Sequence, residues 1–154
     1  KKFDPDDFEK FLKLLPHEVG GQTLRHAVEV RHESFGTPDF IALLREYKVA
    51  IITGSDSEFP EYADVTAPFV YARAMGTTDE HRHGYPPKAL DRWAERAREW
   101  AAGRVPDDMK TAGKDQPKPA PHDVYLYVIS GYKEKNPFAA MELIERLRNN
   151  RLST

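Results

Sequence analysis

Apolar and polar residues along the chain follow two different periods, one typical of strands and one typical of helices. Three apolar runs have the length and composition of buried strands, at residues 48–53, 69–76 and 123–130. Helical spacing of apolar residues marks the segments around them, at residues 4–16, 37–47, 88–102 and 136–147. This order predicts an α/β fold in which consecutive parallel strands alternate with helices.

Three of the predicted helices begin with the same signal, a capping residue followed by a proline suited to the first turn. These pairs are Asp4-Pro5, Thr37-Pro38 and Asn136-Pro137. The helix that starts at Asn136 also has an apolar stripe, which we expect to pack on the sheet. The stripe consists of Ala140, Met141, Ile144 and Leu147.

A further strand is predicted at residues 25–35, and it carries charge where a buried strand should be apolar. Ala27, Glu29 and Arg31 fall on one face because side chains alternate across a strand. A parallel strand flanked by helices is normally apolar on both faces. Glu29 and Arg31 are therefore candidate site residues, or else a structural ion pair; the pattern favours neither reading over the other.

The strand at residues 69–76 has the same peculiarity. Tyr71 and Arg73 share one face, whereas Ala72 and Ala74 on the other are small enough to lie beneath a helix. Arg31 and Arg73 thus both lie near the carboxyl ends of predicted strands, where ligand sites of parallel sheets form. We expect their guanidinium groups to converge on a common pocket.

Two loops contain further polar candidates. Asp56 follows the strand at residues 48–53, either as a site residue or, the reading that composition favours, as a turn former. His81 and His83 are spaced for one side of an extended segment, but without nearby thiolates they are a weak metal signal, and a substrate lid explains them equally well. The proline-rich residues 103–122 are interpreted as a surface insertion, with disorder as a further reading, rather than as a domain boundary.

Length, net charge and the absence of cysteine limit the classes of protein to which this chain can belong. The 154 residues suffice for one domain, which buries roughly 70% of its unfolded surface. The net charge of -2 does not call for nucleic acid as a partner. Cysteine is absent and no apolar run reaches the ~20 residues of a membrane span, so we expect a cytoplasmic protein with no membrane partner. The first residue is Lys rather than Met, so we expect a processed or partial product.

Several of these segments together resemble the YecE-like family, also called domain of unknown function number 72. The matching segments are residues 28–35, Asp56, residues 66–76 with Tyr85 and Trp93, and residues 123–125 with residues 136–140. The pairing of a Glu-x-Arg-His strand with a Tyr-x-Arg strand is the specific part of this resemblance. Two motifs of this chain depart from the family pattern. Where the family usually has Arg-Leu-His-Gly, residues 73–76 are Arg-Ala-Met-Gly and lack the histidine. Where the family usually has Phe-Asn-Asn, residues 129–131 are Ile-Ser-Gly and lack the two side-chain amides.

The resemblance implies a fold similar to a TIM barrel, of which these segments would be the last four strand–helix units. Residues 1–154 would then form a single partial domain, the C-terminal half of a (β/α)8 barrel. A complete barrel needs about 250 residues. We therefore expect as partner either the N-terminal half of the barrel or a second copy of the chain.

The first functional hypothesis is an enzyme acting on a small anionic or sugar-like ligand at the carboxyl ends of the strands. Arg31 and Arg73 would bind a carboxylate or phosphate, because a guanidinium offers a planar fork of donors. The resemblance supplies no established reaction, substrate or cofactor.

Catalytic roles in this hypothesis go to four side chains. Glu29 or Asp56 would be the general base. His32 would be its acid–base partner, because imidazole titrates near neutral pH. Tyr71 would donate a hydrogen bond to the ligand.

The alternative hypothesis is a non-catalytic protein that binds a nucleotide or, less in keeping with the charge, nucleic acid. The same arginines would bind phosphate, and Tyr71, Tyr85 and Tyr132 would supply stacking surfaces. A third hypothesis is metal-assisted hydrolysis through His81, His83 and an acidic residue.

Overall fold

The computed structural model describes residues 1–149, in which four helices alternate with the strands of a parallel sheet. The helices are α1 (Pro5–Leu14), α2 (Pro38–Glu46), α3 (Pro87–Ala101) and α4 (Asn136–Asn149). The strands are β1 (Glu18–Val19), β2 (Gln22–Thr23), β3 (Ala27–Val28), β4 (Ala50–Ser55), β5 (Phe69–Ala74) and β6 (Asp123–Val128). Short 3-10 helices at Glu33–Phe35 and Lys133–Lys135 follow β3 and β6.

The main sheet has the strand order β3-β4-β5-β6, and every neighbouring pair is parallel. The predicted α/β fold with consecutive parallel strands is therefore confirmed. The strand predicted at residues 25–35 is much shorter, because only Ala27 and Val28 pair with β4. The β1–β2 hairpin turns at Gly20 and Gly21, both with positive φ, and its two-residue strands are too short to show a period.

All four helices lie on one face of this sheet. Val28, Val30 and Ile51 pack in one cluster with α1 and α2. Alternate residues of β5 and β6 pack in a second cluster with α3 and α4, around the buried side chains of Trp93 and Trp100. Strands that follow one another in sequence and connect with one handedness place every crossover helix on the same side. Among the helices of residues 1–149, none has the length and apolar character needed to cross a lipid bilayer.

Two of the three predicted caps are confirmed. The side chains of Asp4 and Thr37 accept hydrogen bonds from the first-turn amides of α1 and α2. The cap predicted at Asn136 is wrong, because this residue already belongs to α4. Its amide donates to the carbonyl of Ser130, 2.9 Å away, and its side-chain oxygen accepts from the hydroxyl of Thr77.

The predicted packing face of α4 is also wrong. Ala139 and Leu143 are buried against the sheet, whereas Met141 is 63%, Ile144 46% and Leu147 40% exposed. The most apolar stripe of this helix therefore faces away from the sheet.

The insertion at residues 103–122 is ordered and tied to the rest of the fold. Its anchor is the buried carboxylate of Asp64, which accepts hydrogen bonds from the backbone amides of Ala112 at 2.7 Å and Gly113 at 2.9 Å. Gln116 donates to the same carboxylate, and Arg45 lies 3.8 Å from it. Because a buried carboxylate needs several donors, Asp64 and the loop stabilise each other.

Candidate functional site

The face of the sheet opposite the helices, here called the inner face, carries the charged and aromatic residues predicted to form a site. Strand alternation and register assign to it Ala27, Glu29, Ala50, Ile52, Gly54, Phe69, Tyr71, Arg73, Tyr125 and Tyr127. Charged residues lie at both of its ends, Arg25 and Asp123 at the amino-terminal end and Glu29, Arg31 and Arg73 at the carboxyl-terminal end.

Glu29 joins the two arginines. Its Oε1 accepts a hydrogen bond from Nε of Arg31 at 2.9 Å, and its Oε2 accepts one from a terminal nitrogen of Arg73. The guanidinium groups of the first and third strands of the sheet thus bind one carboxylate at one end of the sheet. Two positive charges against one negative charge leave this cluster with a net charge of +1, which attracts anions.

The two arginines differ in what surrounds them. The side chain of Arg31 is 64% exposed, and its guanidinium lies over the ring of Phe59, 4.7 Å from the centroid. The side chain of Arg73 is only 27% exposed. Within residues 1–149, its buried Nε has no hydrogen-bond partner. A buried donor without a partner is unfavourable, so the Glu29–Arg73 pair is held at a cost in stability.

Aromatic rings lie next to this cluster on the inner face. Tyr71 stacks on Tyr127 with ring centroids 5.0 Å apart and planes at 28°. Tyr127 is in register with Arg73 on the neighbouring strand and is 44% exposed.

Space around Glu29 is distributed unevenly. The depression over Gly54, between Glu29 and Arg73, has a volume of only about 10 Å³. A groove of about 440 Å³ runs instead along the open edge of β3, between this strand and α1. Apart from Lys1, Glu29, Arg31 and His32, its walls are apolar and include Phe8, Phe11, Val28 and Phe35.

His32 lies in that groove but also has a local structural role. Its Nδ1 accepts a hydrogen bond from the backbone amide of Ser34 at 3.1 Å, and so caps the 3-10 helix that follows. The hydroxyl of Ser34 lies 2.9 Å from the same nitrogen. One ring nitrogen is therefore committed to the backbone.

Asp56 and Tyr85 form a second group, apart from Glu29. The hydroxyl of Tyr85 accepts a hydrogen bond from the amide of Gly76 at 2.7 Å and donates one to Oδ2 of Asp56 at 3.4 Å. The ring of Tyr85 is buried, and this burial raises the pKa of Tyr85 to about 12. The phenol therefore stays protonated and remains a hydrogen-bond donor.

Sequence reasoning missed three residues near these two groups, Phe59, Glu61 and Tyr127. Burial raises the pKa of the Glu61 carboxyl, and the neighbouring charge of Asp56 raises it further, while the backbone amides of Asp56 and Ser57 oppose the shift. Phe59 and Glu61 lie in an irregular loop with no periodic signal. Tyr127 was recognisable, because alternation assigns it to the face of Tyr125.

The two loop histidines are not part of a metal cluster. Within residues 1–149, no group of three or more His, Asp or Glu side chains is arranged to hold a metal ion. Nδ1 of His83 lies 3.6 Å from a carboxylate oxygen of Glu142 on α4.

Comparison with known proteins identifies the family. The family model described as "Protein of unknown function DUF72" matches residues 1–154. A crystal structure of a DUF72 family protein from Thermotoga maritima MSB8 superimposes with a TM-score of 0.64 at 19% identity, covering 96% of this chain and 54% of that one. The chain thus spans about half the length of this similar structure, and an identity this low shows a shared fold only. No curated protein matches the sequence. The YecE-like resemblance is confirmed under its other name: the chain belongs to the DUF72 family of proteins of unknown function.

Proposed function

We propose that the carboxyl-terminal end of the inner face is the binding site of a small anionic ligand and the substrate site of an enzyme. One observation carries this proposal, the binding of Arg31 and Arg73 to the single carboxylate of Glu29. Guanidinium groups held in this way are pre-oriented, so little side-chain entropy is lost when they bind a carboxylate or phosphate.

Each residue has a distinct part in the proposal. Arg31 contacts the ligand, since its guanidinium is mostly exposed. Arg73, which is mostly buried, holds Glu29 in place and adds its positive charge to the site. Among the carboxylates of residues 1–149, only Glu29 pairs with these arginines, so proton transfer is assigned to Glu29 and hydrogen bonding to Tyr71. His32 lines the groove beside Glu29 and Arg31 without pairing with either, and Asp56 lies in a separate depression.

The architecture that fits this site is the C-terminal half of a (β/α)8 barrel. Three features support it: strands in sequential order, helices on one face only, and a similar structure about twice as long. An open barrel half has unpaired strands at both ends, here β3 and β6. The apolar groove beside β3 and the exposed stripe of α4 are where further strand–helix units would pack, from an N-terminal half or from a second copy.

Binding of inorganic phosphate to the purified chain tests the site. We expect phosphate to shift the side-chain Nε–H NMR signals of Arg31 and Arg73, and Arg31→Gln to weaken binding about tenfold or more. The matched control is Arg25, which pairs with Asp123 at the opposite end of the same sheet. Equal shifts at Arg25, or undiminished binding by Arg31→Gln, would reject the proposal.

The second candidate, a non-catalytic nucleotide site, is favoured by the stack of Tyr71 and Tyr127. A base on the exposed face of Tyr127 would leave its phosphate within the cationic cluster. Adenosine monophosphate should then bind more tightly than phosphate, and Tyr127→Ala should remove only this difference.

A further inference from the structure

A second depression lies on the other side of the same strand ends. Its volume is about 320 Å³, at the lower end of ligand-sized pockets. It is lined by Ser55, Asp56, Gly76, Tyr85, Pro86, Ala89, Arg92, Trp93 and Arg96. None of these residues lines the depression between Glu29 and Arg73, because strand alternation directs Ser55 and Arg73 to opposite faces. The two sites are separate.

The carboxylate of Asp56 is held at one end of this depression. Asp56 has a φ of 66°, in the left-handed region that side chains seldom adopt. Gly76 permits this position, since a Cβ there would lie 2.6 Å from Cβ of Asp56. Tyr85 donates to Oδ2, and Oδ1 accepts no hydrogen bond from residues 1–149. The carboxylate thus retains a free acceptor oxygen beside the depression.

The arginines of α3 lie on the opposite wall. Arg96 is fixed, because its Nε and a terminal nitrogen bind Asp108 at 3.1 and 2.8 Å and its guanidinium lies 4.8 Å over Trp93. Arg92 has no hydrogen bond or ion pair within residues 1–149. One free guanidinium and one free carboxylate oxygen therefore line the same space.

We infer that this depression binds a hydroxylated organic anion of about monosaccharide size. Its anionic group would bind Arg92, and its hydroxyls would bind Asp56, Tyr85 and Ser55. An anion without donors is disfavoured, because Asp56 repels it. A neutral polyol would leave the charge of Arg92 unmatched. Three oxygen-bearing side chains at one end suit several hydroxyls better than a single ammonium group.

Calorimetric titration of the purified chain with gluconate tests this inference. Asp56→Gly removes the carboxylate and suits the positive φ, so it should fold normally and bind gluconate about tenfold more weakly or worse. Arg92→Gln should have a similar effect. Arg82→Gln, an exposed arginine outside the depression, is the matched control and should bind as the unmodified chain does.

Three outcomes would overturn the inference: gluconate binding that survives both Asp56→Gly and Arg92→Gln, equal weakening by Arg82→Gln, or binding of serine in place of gluconate. Arg31→Gln separates this site from the one proposed above. If Arg31→Gln loses phosphate binding and keeps gluconate binding, the two sites are independent. If Arg31→Gln loses both, gluconate binds at the Arg31 site and the inference is wrong.

Discussion

Arg73 on β5 pairs with Glu29, which follows β3, by reaching across the strand between them. The intervening strand has Gly54 in register with Arg73. Because glycine has no side chain, the inner face is open at this point and the long arginine side chain can cross β4. The ion pair thus crosses β4 at a position that contributes no side chain to the inner face.

Replacing Gly54 tests whether the ion pair requires this open position. Valine suits a strand backbone, but the space over Gly54 is only about 10 Å³, which is too small for its branched side chain. We therefore expect Gly54→Val to break the Glu29–Arg73 pair and to lower the affinity for phosphate. Gly54→Ala is the control, because an added Cβ would have only ordinary contacts, the nearest 3.6 Å from Sδ of Met75. Equal phosphate binding by both variants would contradict the argument.

The ion pair itself should stabilise the fold measurably. Glu29→Gln turns an amide toward two guanidinium groups and leaves the partly buried Arg73 unpaired, so we expect a loss of about 1–3 kcal/mol in the free energy of unfolding. A double-mutant cycle with Arg73→Gln, measured by urea unfolding, isolates the pair. The same cycle on Arg25 and Asp123, which are 46% and 64% exposed, should give less than about 1 kcal/mol. Similar coupling energies in both cycles would contradict this.

The convergence of Arg31 and Arg73 on one carboxylate was predictable because it follows from local rules, whereas the expected common pocket is not found, since Arg31 lines the groove beside β3 and Arg73 the depression over Gly54. Alternation assigns Glu29 and Arg73 to one face, and consecutive parallel strands bring their carboxyl ends together. The separation of Asp56 and Tyr85 from this group was not predictable. Their meeting depends on the positive φ of Asp56 and on the space left by Gly76, which are properties of the folded loops.

The error in α4 has a different physical origin. A hydrophobic stripe indicates which face of a helix avoids water, but not what covers that face. In α4 the contact with the sheet is made by Ala139 and Leu143, which lie on another side of the helix, so the stripe remains exposed. Periodicity predicted the helix correctly and its orientation wrongly.

The exposed apolar stripe of α4 leads us to expect that the chain self-associates. Met141→Lys combined with Ile144→Lys should leave stability nearly unchanged, since both residues are exposed, but should abolish concentration-dependent self-association in sedimentation experiments. Glu95→Lys on the exposed side of α3 is the control and should associate as the unmodified chain does. A monomer at all concentrations before any substitution would contradict the prediction.

The anchor of the insertion can be tested without a ligand. Asp64→Asn retains a single acceptor oxygen where the carboxylate uses both, so at least one backbone amide loses its partner. We expect faster amide hydrogen exchange at Ala112 and Gly113, and a loss of about 1–3 kcal/mol in stability. Asp115→Asn, exposed in the same loop, should change neither. Unaltered exchange in Asp64→Asn would mean that the loop is held by other contacts.

Because the pKa of Tyr85 is raised in the folded protein, we expect the free energy of unfolding to fall at alkaline pH. Its pKa is about 12 in the folded protein, against an ordinary value of 10.0. Below pH 10 the phenol is protonated in both states, and its contribution is fully present. As the pH rises from 10 to 12, the unfolded chain loses this proton first, so stability falls by up to about 2–3 kcal/mol. Urea unfolding at a series of pH values should show this slope reduced in Tyr85→Phe and kept in Tyr132→Phe, whose ring is exposed. A slope that persists in Tyr85→Phe would assign it to other groups.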